Sequence, residues 1–216
     1  MIKLYGAALS NYFNIVKHNL LEKGIAFEEV MTHPNKDPAT LAKSPMGKIP
    51  FIETEQGFLA ESAAILDYLE ERFPEPAMYP KDPFQRAKAR EMMRMLELYI
   101  AGPSHRHAME VFFGAPRSQV AYEEVKGQVE LGLQALARLV HFGPFVQGAS
   151  FGNADICLFH NIGSARAIMQ AVYHWDIVSA IPGLEQCLAV IGARPTTKTL
   201  VAAQNAARAA MRAQQH

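Results

Sequence analysis

Three short stretches of the chain carry residue types that could do chemistry: Ile49-Pro50, Glu61-Ser62 and Ser10. A proline at the first position of a strand leaves the preceding backbone groups outside the ladder. A cis Ile49–Pro50 bond would turn the Ile49 N–H and C=O outward, where a peptide ligand can pair as an added strand. Glu61-Ser62 stands at the start of an apolar helical run. A helix N-terminus holds free N–H groups and about half a positive charge, which suits a carboxylate, while the acidic Glu61 suits an ammonium. The pair reads as a receptor for an amino-acid head group. Ser10 lies on the loop that enters a helix, six residues before Val16, where a hydroxyl reaches the top of a sheet. Its neighbour Asn11 offers an amide donor at nearly the same place. Each feature alone has an ordinary explanation, as a loop proline, a helix cap and a solvated serine.

The elements that must position these residues follow from local patterns. Ile2-Lys3-Leu4-Tyr5 reads as a strand ending at Gly6. Phe13, Val16, Leu20 and Leu21 recur at helical spacing, and Gly24 closes that helix. Ala26 to Val30 is a second strand, paired parallel to the first because the return is a helix. The polar stretch THPNKDPATLAKSPMGK has room for one helical turn from Pro38 to Lys43. Phe51 to Glu53 and Phe58 to Ala60 form an antiparallel hairpin around Glu55-Gln56-Gly57. Ser62 is placed to cap a helix carrying Ile65, Leu66 and Leu69, which Pro74 and Pro76 end. The order is β-α-β-α-β-β-α.

Beyond residue 80 only helical periods occur. One long helix is expected from Asp82 to about Phe113, bent at Gly102-Pro103. Others are expected over 118–141, from Asn153 to His174, from Ile181 to Ile191 and from Thr196 to about Ala213. The change of pattern sets a first α/β domain at 1–77, a linker at 78–86 and an all-α domain at 87–216. Charge divides at the same place: residues 1–80 hold 7 Lys/Arg against 11 Asp/Glu, a net of −4, and residues 81–216 hold 14 against 10, a net of +4.

Composition bounds the function. The chain has 216 residues, 50% hydrophobic and 19% charged, which is the profile of a globular protein with a substantial core. The net charge is zero, which argues against a nucleic-acid partner held by phosphate neutralisation. No run approaches the roughly 18 apolar residues of a membrane span, and MIKLYG has no signal-peptide character, so a cytoplasmic protein with no membrane partner is expected. Cys157 and Cys187 sit in apolar contexts and read as buried, reduced thiols. His105 and His107 are two apart and so on different helix faces, and no cluster has metal-ligand spacing.

In this order, the three stretches resemble the cytosolic glutathione S-transferase family over essentially the whole chain. IKLYGAALSNYFNIVKHNLLEKGIAFEEV is similar to the family's first β-α-β with its active-site serine. MGKIPFIETEQGFLAESAAILDYLEERFP is similar to its cis-proline, hairpin and Glu-Ser. GASFGNADICLFH is similar to the start of the buried helix of its second domain. The resemblance implies a thioredoxin-like domain holding glutathione, a helical domain forming most of the electrophile pocket, and a homodimer. It implies that Ser10, or Asn11 in its place, donates a hydrogen bond to the glutathione sulfur. Ile49, beside Pro50, would pair through its backbone with the cysteinyl unit, and Glu61 and Ser62 would hold the γ-glutamyl head. Lys48 or Lys36 would take the glycyl carboxylate, with His33 a lesser candidate. Tyr99, Arg106, Met109 and Phe113 would line the electrophile pocket. Glutathione is a co-substrate, and no cofactor or metal is implied.

The activity implied is attack of the glutathione thiolate on a small apolar electrophile. The alternatives are a glutathione-dependent disulfide or peroxide reductase and a non-catalytic binding protein of the same fold. Two positions depart from the family pattern. Gly152 stands where a Ser or Thr usually caps the buried helix, which leaves Asp155 as a structural residue. Asn11 stands where many serine-type members carry proline. Trp175 reads as core, and Arg208 with Arg212 as a solvated face.

Overall fold

The structure, a computed structural model, describes residues 1–213 apart from the side chain of Arg212. The chain forms two compact units, Met1–Met78 with the C-terminal residues from Ala193, and Tyr79–Gly192.

In the first unit, β1 (Ile2–Gly6), α1 (Asn11–Glu22), β2 (Phe27–Met31), α2 (Pro38–Leu41), β3 (Phe51–Thr54), β4 (Gly57–Ala60) and α3 (Ser62–Arg72) follow in that order. The four strands form one mixed sheet, β2-β1-β3-β4. β1 runs parallel to β2 and antiparallel to β3, and β3 pairs antiparallel with β4. The two-residue period of a strand divides the side chains between the faces. Ile2, Leu4 and Ile52 go to one face, where they meet Phe13, Val16 and Leu20 of α1 and Ile65 and Leu69 of α3. Tyr5, Phe51 and Phe58 form an aromatic cluster, Tyr5 stacked on Phe51 with centroids 4.6 Å apart. Lys23, at the C-terminal end of α1, is buried against Glu70 of α3 at 2.8 Å. It also donates to the Phe73 and Pro76 carbonyls at 2.7 and 2.8 Å, so this buried cation is fully paired.

In the second unit, α4 (Pro83–Met95) is capped by Asp82, whose carboxylate accepts from Gln85 N–H at 2.9 Å. The single helix expected to Phe113 keeps its course but not its winding. Leu96–Ala101 is a π-turn, followed by α5 (Gly102–Ser104), a 3₁₀ turn at His105–His107 and α6 (Ala108–Phe113). Pro103 has no N–H to give the Tyr99 carbonyl, which opens the winding there. α7 (Gln119–Ala137) comes in against that same carbonyl at Gly132, where a Cβ would lie 2.3 Å from it. α7 stops four residues short of the expected end. α8 (Asn153–Tyr173) is buried along most of its length. The next helix begins later than expected, because Ile177–Ala180 is a 3₁₀ turn and Gly183 has φ +86, so α9 spans Leu184–Gly192. Asp155 is structural: its carboxylate accepts from Val146 N–H at 2.8 Å and from Gly152 N–H at 3.0 Å. Gly152 supplies no side-chain cap in return. Cys157 and Cys187 are buried, and Trp175 is half-buried rather than core.

α10 (Pro195–Ala213) belongs to the first unit, although it was expected to share a domain with everything from residue 87. A polar network lies between it and α1. Arg194 grips the Glu22 carboxylate with Nε at 3.1 Å and Nη2 at 2.6 Å, Thr196 donates to the same carboxylate, and Thr197 meets the buried His18 at 3.4 Å. Sequence spacing could not reveal this pairing across 172 residues. The side chain of Arg212 lies outside the described residues.

Candidate functional site

Strand register brings the three candidate stretches together. Tyr5 of β1 pairs with Phe51 of β3, and Phe51 pairs with Ala60 of β4. Ser10 follows Tyr5 by one short loop, Ile49-Pro50 immediately precedes Phe51, and Glu61 immediately follows Ala60. With neighbouring strands about 4.8 Å apart, this row spans roughly 10 Å, and all three stretches emerge at one end of it.

Ser10 is the N-cap of α1, with extended backbone at φ −78, ψ 123, and its Oγ accepts from Phe13 N–H at 3.2 Å. The oxygen is therefore engaged by the cap, while among the described residues nothing accepts the hydroxyl proton. Asn11 is the first helical residue and is 8% exposed. The loop before Ser10 is held from the helix side. Asn14 Nδ2 donates to the Ala8 carbonyl at 2.8 Å. A Cβ on Gly6 would lie 2.4 Å from the Phe13 ring, so only glycine lets α1 come this close.

The Ile49–Pro50 bond is cis. The β1–β3 ladder begins one residue later, at Phe51, so the Ile49 backbone lies past its last pair. The loop leading to it is braced at its neck. Asn35 N–H donates to the Gly47 carbonyl at 3.1 Å, and Ser44 Oγ to the Lys48 carbonyl at 2.8 Å. Gly47 has φ +60, and a Cβ there would sit 2.0 Å from the Asn35 carbonyl oxygen. The two candidate lysines differ: Lys36 Nζ donates to the Met46 carbonyl at 2.5 Å, within its own loop, whereas Lys48 is exposed beside Ile49. His33 is exposed on the same loop.

Glu61, not Ser62, is the N-cap of α3, and Ser62 is its first helical residue. Glu61 has φ +68 and ψ 113, a conformation that costs a non-glycine residue about 1–3 kcal/mol. Its side chain makes no cap hydrogen bond, so the first-turn N–H groups receive no acceptor from it. A strained acidic residue at an uncapped helix N-terminus presents both a carboxylate and positive helix-end charge in one place. Sequence spacing put the cap one residue late because serine is the better capping side chain.

On the second unit, Tyr99, Met109 and Phe113 are each more than half exposed. Arg106 is ion-paired to Glu124 at 2.7 Å. The two histidines are structural. His105 meets Ser164 Oγ at 2.9 Å, and burial lowers its pKa to about 4, so it is neutral. His107 is buried between Glu110 at 3.1 Å and the Tyr173 hydroxyl at 2.9 Å. Burial raises the pKa of both cysteines, that of Cys187 to about 12, so neither supplies a thiolate near neutral pH. Among the described residues no group of His, Cys, Asp and Glu could hold a metal ion, and no helix is long and apolar enough to cross a membrane.

Residues 4–77 match the family model described as "Glutathione S-transferase, N-terminal domain". A glutathione S-transferase of Pseudomonas putida is 37% identical over 206 residues, 95% of this chain and 94% of that one. A maleylacetoacetate isomerase of Pseudomonas aeruginosa is 27% identical over 201 residues, 86% of this chain and 94% of that one. Among solved structures, a glutathione S-transferase of Methylobacterium radiotolerans in complex with glutathione sulfonate superimposes with a TM-score of 0.75 at 25% identity, covering 93% of this chain and 94% of that one.

Proposed function

The chain belongs to the glutathione S-transferase family, and we propose that it catalyses attack of the glutathione thiolate on a small apolar electrophile. The observation that carries the reading is Ser10. Its oxygen is held by the α1 cap and its proton is left to donate, at the end of the sheet where Ile49-Pro50 and Glu61-Ser62 also emerge.

The nucleophile belongs to the substrate. A free thiol has a pKa near 8.5, so only a few per cent is thiolate at pH 7. Each unit by which the site lowers that value corresponds to about 1.4 kcal/mol of preference for the anion. A charge-assisted hydrogen bond from Ser10, with the N-terminal end of α1 behind it, is of that size. Asn11, buried at the first helical position, is the lesser candidate for the same role. Ile49 pairs with the cysteinyl backbone. The α3 N-terminus and Ser62 take the γ-glutamyl carboxylate, and Glu61 takes its ammonium. Lys48 serves the glycyl carboxylate better than Lys36, whose ammonium is already engaged by Met46. Tyr99, Met109 and Phe113 offer the electrophile an apolar surface, with Arg106 at its margin. The protein acts in the cytoplasm as a homodimer, and light scattering near 47.8 kDa, twice the chain mass of 23.9 kDa, tests the assembly.

A relative named for isomerisation of maleylacetoacetate raises a second reading, since such a substrate is an organic acid. Two arginines close in sequence to these apolar residues weigh against it, because Arg106 is paired with Glu124 and Arg117 with Glu110 at 2.6 Å. A glutathione-dependent reductase would use the same bound thiolate. The buried, neutral Cys157 and Cys187 weigh against one that works through a protein mixed disulfide. Parallel assays with an aryl halide, a small disulfide and a maleyl acid separate the three. The proposal expects turnover of the aryl halide to dominate, and dominance of either other substrate overturns it.

A further inference from the structure

We infer that Asn14 is a positioning residue that sets the Ser10 hydroxyl toward the bound sulfur. The inference rests on the reading of Ser10 given above and extends it to a side chain that touches no substrate. Asn14 is 2% exposed, and its amide donates to the Ala8 carbonyl at 2.8 Å. Ala8 lies in the middle of the loop between β1 and α1, two residues before Ser10.

The hydrogen bonds around this loop fix Ser10 from several directions. Ser10 N–H donates to the Ala7 carbonyl at 2.9 Å, and Asn14 N–H donates to the Ser10 carbonyl at 3.1 Å. Phe13 N–H holds Ser10 Oγ at 3.2 Å. These three contacts fix Ser10 against its neighbours and against the first turn of α1. The Asn14 side chain ties the middle of the loop to that same helix turn with a buried polar contact. Without it the loop loses that tie, while the turn at Ala7 and the packing of Phe13 under Gly6 remain. Catalytic donors tolerate little displacement: an error of about 1 Å in placing a group can cost on the order of a hundredfold in rate. A buried asparagine often only satisfies a buried carbonyl, and that role would change stability while leaving the chemistry of bound glutathione alone.

The test is a titration of the thiolate absorbance of glutathione bound to wild type, Ser10→Ala, Asn14→Leu and the double variant. Asn14→Leu keeps the number and branching of the buried side-chain atoms while removing the amide, and the smaller Asn14→Ala is the second variant should leucine not fold. With either Asn14 variant folded at the assay temperature, the bound thiol pKa is expected to rise by about half a unit to one unit. Turnover near neutral pH is expected to fall roughly three- to tenfold and to recover as pH rises, while glutathione affinity stays within about twofold. Because Asn14 acts through Ser10, the double variant should match Ser10→Ala alone rather than add to it. A wild-type pKa in a folded Asn14 variant, with a raised one in Ser10→Ala, overturns the inference and leaves the role of Ser10 standing. A pKa unshifted in Ser10→Ala removes that role and the inference with it.

Discussion

The groups proposed to hold glutathione in the first unit are largely backbone groups and helix ends. They comprise the Ile49 peptide beyond the β3 ladder, the uncapped N-terminus of α3 and the capping hydroxyl of α1. The groups proposed to meet the electrophile in the second unit are protruding side chains on α6 and on the irregular turns before it. The first kind of group is fixed by strand register, a cis proline and two glycines that admit close approach. The second kind consists of side chains more than half exposed at Tyr99, Met109 and Phe113, with Arg106 held by its surface ion pair to Glu124. A constant co-substrate can be met by the first kind of surface and a varying partner by the second. The two regions should therefore respond to mutation on different scales.

The largest effect is expected where the first unit concentrates charge. Glu61→Ala with Ser62→Ala removes two charge-assisted contacts, so glutathione binding should weaken by about 2–4 kcal/mol, or roughly 30- to 1000-fold. Calorimetry giving unchanged affinity in the folded double variant would break the comparison at its stronger side.

The polar network of α10 sharpens the comparison through stability. Burial alone would push the Glu22 carboxyl up, but hydrogen bonds from His18, Arg194 and Thr196 overcome it and hold the pKa at about 2 instead of 4.5. The folded value is depressed, so this contribution is present above pH 4.5 and is lost as pH falls toward 2. It amounts to at most about 3 kcal/mol, less what solvent screening removes at a side chain still 11% exposed. Urea unfolding from pH 5 down to pH 2 should show this loss in wild type and a clearly shallower one in Arg194→Gln. Equal slopes in the two proteins would mean that the network adds nothing to acid stability.

A smaller effect is expected in the second unit. Met109→Ala with Phe113→Ala removes side chains that are already more than half exposed, so KM for an aryl halide should rise only about three- to tenfold. Glutathione affinity should stay within about twofold, and a larger change in it would erase the division of labour between the regions. The smallest effect concerns the thiols. Iodoacetamide under native conditions should leave Cys157 and Cys187 unlabelled by mass spectrometry and activity unchanged, because both are buried and neutral. Rapid labelling with loss of activity would place reactive chemistry in the second unit.

Much of the first unit was legible in the sequence, because its determinants are local. Strand alternation, Gly24 after α1 and Ile49-Pro50 before β3 each announce themselves within a few residues, and together they set the register that gathers the site. The misplaced cap shows the limit of that reading: serine has the better capping chemistry, yet the backbone turns at the strained Glu61. Asn14 and Gly47 were missed for a different reason. Each acts on a carbonyl whose position only the folded loop defines. The π-turn at Leu96–Ala101 depends on Pro103 together with Gly132 on another helix, and periodicity along one helix does not carry that information. The grip of Arg194 on Glu22 likewise depends on which helix the chain end returns to.

The central claim is that Ser10 stabilises the glutathione thiolate, and titration of the bound thiolate by absorbance in wild type, Ser10→Ala and Asn11→Ala tests it most directly. One charge-assisted hydrogen bond of about 1.5–3 kcal/mol corresponds to one to two pKa units. The bound thiol should therefore titrate about one to two units higher in Ser10→Ala than in wild type, and close to wild type in Asn11→Ala. A raised pKa in Asn11→Ala with none in Ser10→Ala would contradict the account and move the role to the asparagine. No shift in either would leave the helix end and backbone as the activating groups.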